Sequence, residues 1–168
     1  MKFAFLLMAI TWKVLAQGNP VVEQVQAAAQ MKDYATAERI VTAMQAQGGM
    51  SPSSILALSW IGRGALANRD YDRAEKYATE TRKEALGQLA RRPLDAEPDL
   101  PLALGASIEV AAQVLAARGR RSEAVAFLQQ EFKTWRTTSI GLRIQKNVNL
   151  LSMEGKPAPA LDLSLIHI

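Results

Sequence analysis

Any catalytic or metal centre in this chain must be assembled without cysteine and around a single histidine, His167. Thiolate chemistry, disulfides and zinc–cysteine sites require cysteine, and Ser–His or Cys–His catalysis requires a histidine base. The 16 Asp and Glu residues remain as metal ligands, but they do not cluster at ligand spacing. No catalytic, cofactor-binding or metal-binding residue is therefore expected. The residue types do permit recognition. Gln24, Gln26, Ser59, Arg63, Glu109 and Gln113 offer amide, hydroxyl and charged groups between apolar positions, and they are the candidate partner-binding face.

Apolar stripes at helical spacing supply the elements that must position this face. Gly18-Asn19-Pro20 predicts a helix start, followed by Val21, Val25, Ala28 and Ala29 on one side. Asp33-Tyr34 turns the chain into a second helix with Ala37, Val41 and Met44 inward, and Gly48-Gly49 stops it. Ile55, Leu58, Ile61, Gly62 and Ala65 form the next stripe; Asn68-Arg69-Asp70 then leads into Tyr71, Ala74, Ala78, Ala85 and Leu89. Three prolines within residues 93–101 predict a loop there. Beyond it, Leu104, Ile108, Ala111, Ala112 and Leu115 mark a helix that Gly119 ends. Ala124, Phe127, Leu128, Phe132 and Trp135 mark its partner. A last helix carries Ile140, Ile144, Val148 and Leu151 and is expected to cap the assembly. Trp60 and Trp135 are expected to serve packing. The chain therefore reads as all-α.

The turns inside the pairs recur. Lys32-Asp33-Tyr34-Ala35-Thr36-Ala37, Arg69-Asp70-Tyr71-Asp72-Arg73-Ala74 and Gly119-Arg120-Arg121-Ser122-Glu123-Ala124 each place a polar turn before an aromatic or long residue, with alanine three positions later. This pattern resembles the middle of a tetratricopeptide repeat, in which that alanine lets two helices approach closely. Tyr34, Ala37, Gly62, Tyr71, Ala74 and Ala124 are the repeat-defining residues under this resemblance, with Gly62 at the small position of a first helix. Ala37 and Ala74 are 37 residues apart, near the family period of about 34. Ala124 lies 50 further on, and the proline segment accounts for the excess. The family's tryptophan and proline hallmarks are missing, and Arg121 replaces the aromatic in the third unit. The resemblance implies antiparallel helical hairpins stacked as a short right-handed solenoid, followed by an extended C-terminal linker. A generic bundle of helical hairpins is the alternative.

Both ends of the chain carry separate expectations. Lys2, the apolar run at 3–10 and Val14-Leu15-Ala16 predict a signal peptide over residues 1–16, cleaved after Ala16. Its apolar run is shorter than the ~20 residues that span a bilayer, so membrane contact is expected only before cleavage. A buried first helix is the alternative for this segment. Residues 17–153 would be the helical-repeat domain. Gly155-Lys156-Pro157-Ala158-Pro159 followed by an apolar residue resembles the opening of thioredoxin-like redoxin domains, so 154–162 would be a linker and the start of such a domain. An ordinary surface linker is the alternative there. Residues 163–168, Leu-Ser-Leu-Ile-His-Ile, are similar to an in-frame translation of a sequencing-library adapter, which would make His167 an artefact and place the rest of the gene beyond Asp162.

The sequence pI of 9.6 overstates the basicity. Without Lys2 and Lys13 of the leader, 18 basic side chains face 16 acidic ones, and pairs such as Arg91-Arg92 and Arg120-Arg121 flank helix ends. No nucleic-acid partner is expected. The expected function is a non-catalytic interaction or spacer module with a protein or peptide partner and no cofactor, in an exported (periplasmic or secreted) protein. The redoxin resemblance implies a thiol-disulfide oxidoreductase or peroxiredoxin-like parent. The alternative is a stand-alone exported scaffold. Replacing Ala74 by Leu is expected to overpack the second pair and cost about 1 to 3 kcal/mol; an unchanged melting temperature would count against the repeat assignment.

Overall fold

Four helix starts in this chain coincide with a side chain that satisfies a free amide of the first turn. Asn19 Oδ1 accepts from the Val21 amide at 3.0 Å, Asp33 Oδ1 from Thr36 at 3.1 Å, Ser51 Oγ from Ser54 at 3.2 Å and Asp70 Oδ1 from Arg73 at 3.2 Å. Pro20 and Pro52 occupy first-turn positions, where no amide hydrogen is missed. The computed structural model describes residues 19–153. The signal-peptide, linker, redoxin and adapter assignments lie outside these residues. Seven α-helices follow: α1 (Pro20–Gln30), α2 (Tyr34–Gly48), α3 (Pro52–Ala67), α4 (Tyr71–Gln88), α5 (Asp99–Ala117), α6 (Arg121–Trp135) and α7 (Gly141–Met153). No strand occurs among the described residues, and the fold is all-α.

The proline segment is shorter as a loop than its prolines suggested. A single 3-10 turn covers Leu94–Ala96, and α5 begins at Asp99 with Pro101 already inside its first turn. Proline is tolerated there because that amide has no helical acceptor in any case. The Glu97 carboxylate accepts from the Asp99 and Leu100 amides at 3.0 and 2.8 Å, replacing a conventional cap.

Three turns share one backbone conformation. In Met31-Lys32-Asp33, Asn68-Arg69-Asp70 and Arg118-Gly119-Arg120 the middle residue is left-handed, with φ of 63°, 60° and 79°. The third residue donates its amide to the carbonyl five residues back: Asp33 to Ala28, Asp70 to Ala65 and Arg120 to Leu115, each at 2.9 Å. This is the Schellman arrangement, which consumes carbonyls a helix end would otherwise leave bare. Asp33 and Asp70 then cap the next helix, whereas Arg120 makes no cap and pairs instead with Glu123 at 2.7 Å.

The helices alternate between two layers. α1, α3, α5 and α7 lie side by side, each packed on the next, and α2, α4 and α6 each sit over the seam between two of them. Apolar residues from α1 to α4, joined by Val110 and Val114 of α5, form one core; α5 to α7, with Ile55 and Ala85, form a second. Ala37, Ala74 and Ala124 are completely buried, Tyr34 is buried and Tyr71 is half-buried. At Gly62 a β-carbon would meet Tyr77 Cβ at 3.3 Å and the Ala74 carbonyl oxygen at 3.6 Å, so α3 and α4 are nearly in backbone contact. The tightest approach lies elsewhere. A β-carbon at Gly64 would fall 2.7 Å from both Cβ and the carbonyl oxygen of Ala29 in α1.

Inward faces differ from the stripe reading at three places. Val22 is buried and Val21 only half-buried, which rotates α1 by about one residue. In α4, Tyr77 and Thr81 join the core. α5 is buried around most of its circumference, including Leu100, Ala103, Val110 and Val114, because it touches α3, α4, α6 and α7. That central position accounts for its apolar composition, which is otherwise sufficient in length and hydropathy for a membrane span.

Gly64→Ala is expected to push α1 from α3 and cost about 1 to 3 kcal/mol, read as a lower denaturant midpoint. Asp70→Ala is expected to cost about 1 kcal/mol through the lost cap. Arg120→Ala is expected to leave the denaturant midpoint unchanged, because its exposed ion pair contributes little.

Candidate partner-binding groove

The α3–α5 seam opens into a groove of about 460 Å³. Its apolar walls are Leu66 and Ala67 of α3 with Val110 and Ala117 of α5, and its polar groups are Arg63, Arg69, Tyr71, Glu109 and Gln113. Arg63 and Glu109 project from facing helices, and Gln113 follows Glu109 by one helical turn, so the 3.6-residue period places both on the same side. The left-handed turn holds Arg69 at one end of the groove, next to Tyr71.

Charge in this groove is unevenly paired. Glu109 Oε2 accepts from Arg143 of α7 through both Nε (3.1 Å) and Nη2, and its Oε1 accepts from Gln113 Nε2 at 3.4 Å. The Arg63 guanidinium lies over the Trp60 ring, 4.3 Å from its centroid. Among the described residues neither Arg63 nor Arg69 has a carboxylate within ion-pair distance. Burial pushes Arg63 below its ordinary pKa, the Arg143 charge adds to that effect, and Glu109 opposes it. Half-buried cations carry a desolvation cost that an anion would offset.

Of the six residues expected on the partner-binding face, the structure brings Arg63, Glu109 and Gln113 together in this groove. Gln24 is exposed and Gln26 half-buried on α1, and neither lines the groove. Ser59 is not on an outward face. It is buried, and its hydroxyl donates to the Leu56 carbonyl at 2.7 Å. The correction has a simple cause: α3 is packed on α1, α2, α4 and α5, which leaves little of its circumference for solvent. Arg69 and Arg143 were not singled out in the sequence, and Tyr71 was read only as a repeat residue. Arg143 lies 34 residues from Glu109, so no local pattern links them.

Other polar clusters act as fasteners. Asn68 Nδ2 donates to the Gly64 carbonyl at 2.9 Å and reaches the Ala29 carbonyl and Tyr34 Oη, both at 3.3 Å. At the equivalent turn position, Arg118 pairs with Asp72 and Glu75 of α4, both at 2.6 Å. In the outer layer Tyr77 Oη donates to Glu38. The buried carboxylate of Glu131 accepts from Arg82 at 2.5 Å and from Trp135 Nε1 at 3.0 Å.

The outer side of α7 mixes apolar and polar residues. Leu142, Leu150 and Met153 are 85%, 57% and 55% exposed and share one face with Gln145, Lys146 and Asn149. No family model matches the chain, and searches of curated proteins and of solved structures return no significant match.

Proposed function

We propose that residues 17–153 form a non-catalytic, tetratricopeptide-like interaction or spacer module that binds a protein or peptide in the α3–α5 groove. The observation that carries the reading is the threefold recurrence of one backbone turn, each opening the second helix of a pair on a buried alanine. The alternation of helices between two layers supports stacking of the pairs as a short right-handed solenoid. Such stacking buries each apolar face against the next pair and leaves a continuous inner-layer surface for a ligand.

The leader at 1–16 supports export to the periplasm or beyond the cell. The redoxin resemblance of 154–162 supports a thiol-disulfide oxidoreductase or peroxiredoxin-like parent, in which the helical module presents or spaces the substrate. Disulfide exchange in an oxidising compartment is the setting such a parent requires.

Selection from a randomised heptapeptide display library tests the groove. Peptides enriched on the wild-type chain are expected to lose at least about ten-fold in affinity on Ala67→Trp, which fills the groove from an exposed position. Ten-fold corresponds to about 1.4 kcal/mol. A selection that enriches no peptide sensitive to Ala67→Trp overturns the binding assignment.

A further inference from the structure

Glu109 stands between two arginines and is bonded to only one. Both strong contacts to its Oε2 come from Arg143, and Gln113 holds its other oxygen. Arg63, on the facing helix and close enough to feel both charges, has the Trp60 ring as its close partner among the described residues. A carboxylate and two guanidiniums compete here, and α7 has won the carboxylate. Stacking on Trp60 stabilises a cation without consuming its hydrogen-bond donors, so the N–H groups of Arg63 stay available for a planar acceptor.

Arg69 adds a second cation on the groove lining, from a backbone conformation that costs a non-glycine residue about 1 kcal/mol. Glycine holds the equivalent position in the third turn, at Gly119, so the turn itself does not demand an arginine.

We propose that the α3–α5 groove binds acidic peptide segments, with Arg63 and Arg69 receiving side-chain carboxylates, and that Arg143 keeps the site open by holding Glu109 away from Arg63. The proposal rests on the interaction reading above and specifies its ligand. A peptide fits better than a nucleic acid. Leu66, Val110 and Ala117 make apolar walls suited to side chains. Arg143 is then a positioning residue, acting through Glu109 and not on the ligand.

The test uses the same heptapeptide library with four variants of the full chain, each checked for an unchanged helical melting profile. Peptides selected on the wild type are expected to be enriched in Asp and Glu. Arg63→Gln is expected to weaken them about ten-fold or more, the size of one charge-assisted contact, and Arg69→Gln is expected to weaken them less. Arg143→Gln is expected to weaken binding as Glu109 swings to Arg63. Adding Glu109→Gln to Arg143→Gln is expected to restore it, a coupling that a merely structural role for Arg143 would not produce. Groove-dependent peptides without acid enrichment, or no rescue in the double variant, overturn this inference and leave the interaction reading intact. A selection without groove-dependent peptides overturns both. Tighter binding of a labelled single-stranded oligonucleotide through Arg63 also overturns it, since that identifies a phosphate backbone as the ligand.

Discussion

The backbone of α3 is pressed against two helices at once, and the rest of the fold depends on that crowding. Gly64 touches Ala29 of α1 so closely that no side chain fits, and Gly62 leaves space for little more than hydrogen opposite Tyr77 and Ala74 of α4. Small residues allow helix axes to approach, and each approach brings long stripes of apolar side chains into contact. The position of α3 then sets where α5 lies, and α5 in turn supports α6 and α7. A methyl group at Gly64 would displace α1 as a body, because the obstructing atoms include backbone.

Polar contacts register these layers more than they hold them together. Asn68 and Arg118 occupy equivalent positions at the ends of α3 and α5, and each reaches back to the preceding pair. Exposed ion pairs such as Arg118–Asp72 are individually worth little, but their directionality fixes how far one pair can slide on the next. Glu131 is different. A buried carboxylate without Arg82 and Trp135 would be an uncompensated charge, so this pair selects one arrangement of α4 against α6.

The groove follows from the same layering. α4 packs over the α3–α5 seam from the other layer, and the groove opens along the part of the seam left uncovered. Side chains from the two helices converge there, and α7 intervenes only through Arg143. The polarity of the groove is thus set by residues of α3, α4, α5 and α7 and of the α3–α4 turn.

Much of the fold was legible in the chain itself. Helix starts at Asn19, Asp33 and Asp70, apolar spacing of three to four residues and the recurring alanines 37, 74 and 124 are local signals, and local hydrogen bonding and periodicity are enough to make helices and pair them. Pro101 misled because a proline's meaning depends on whether it falls inside a first turn, and Glu97, four residues earlier, decides that. Tertiary structure alone decided the rest. Ser59 is buried because α3 sits centrally, Gly64 is crowded because α1 crosses there, and Arg63 stacks on Trp60 while Arg143 holds Glu109. Each of these outcomes turns on which residues meet across tens of positions of sequence. Periodicity specifies which side of a helix is apolar, but only packing specifies what that side, or its opposite, will face.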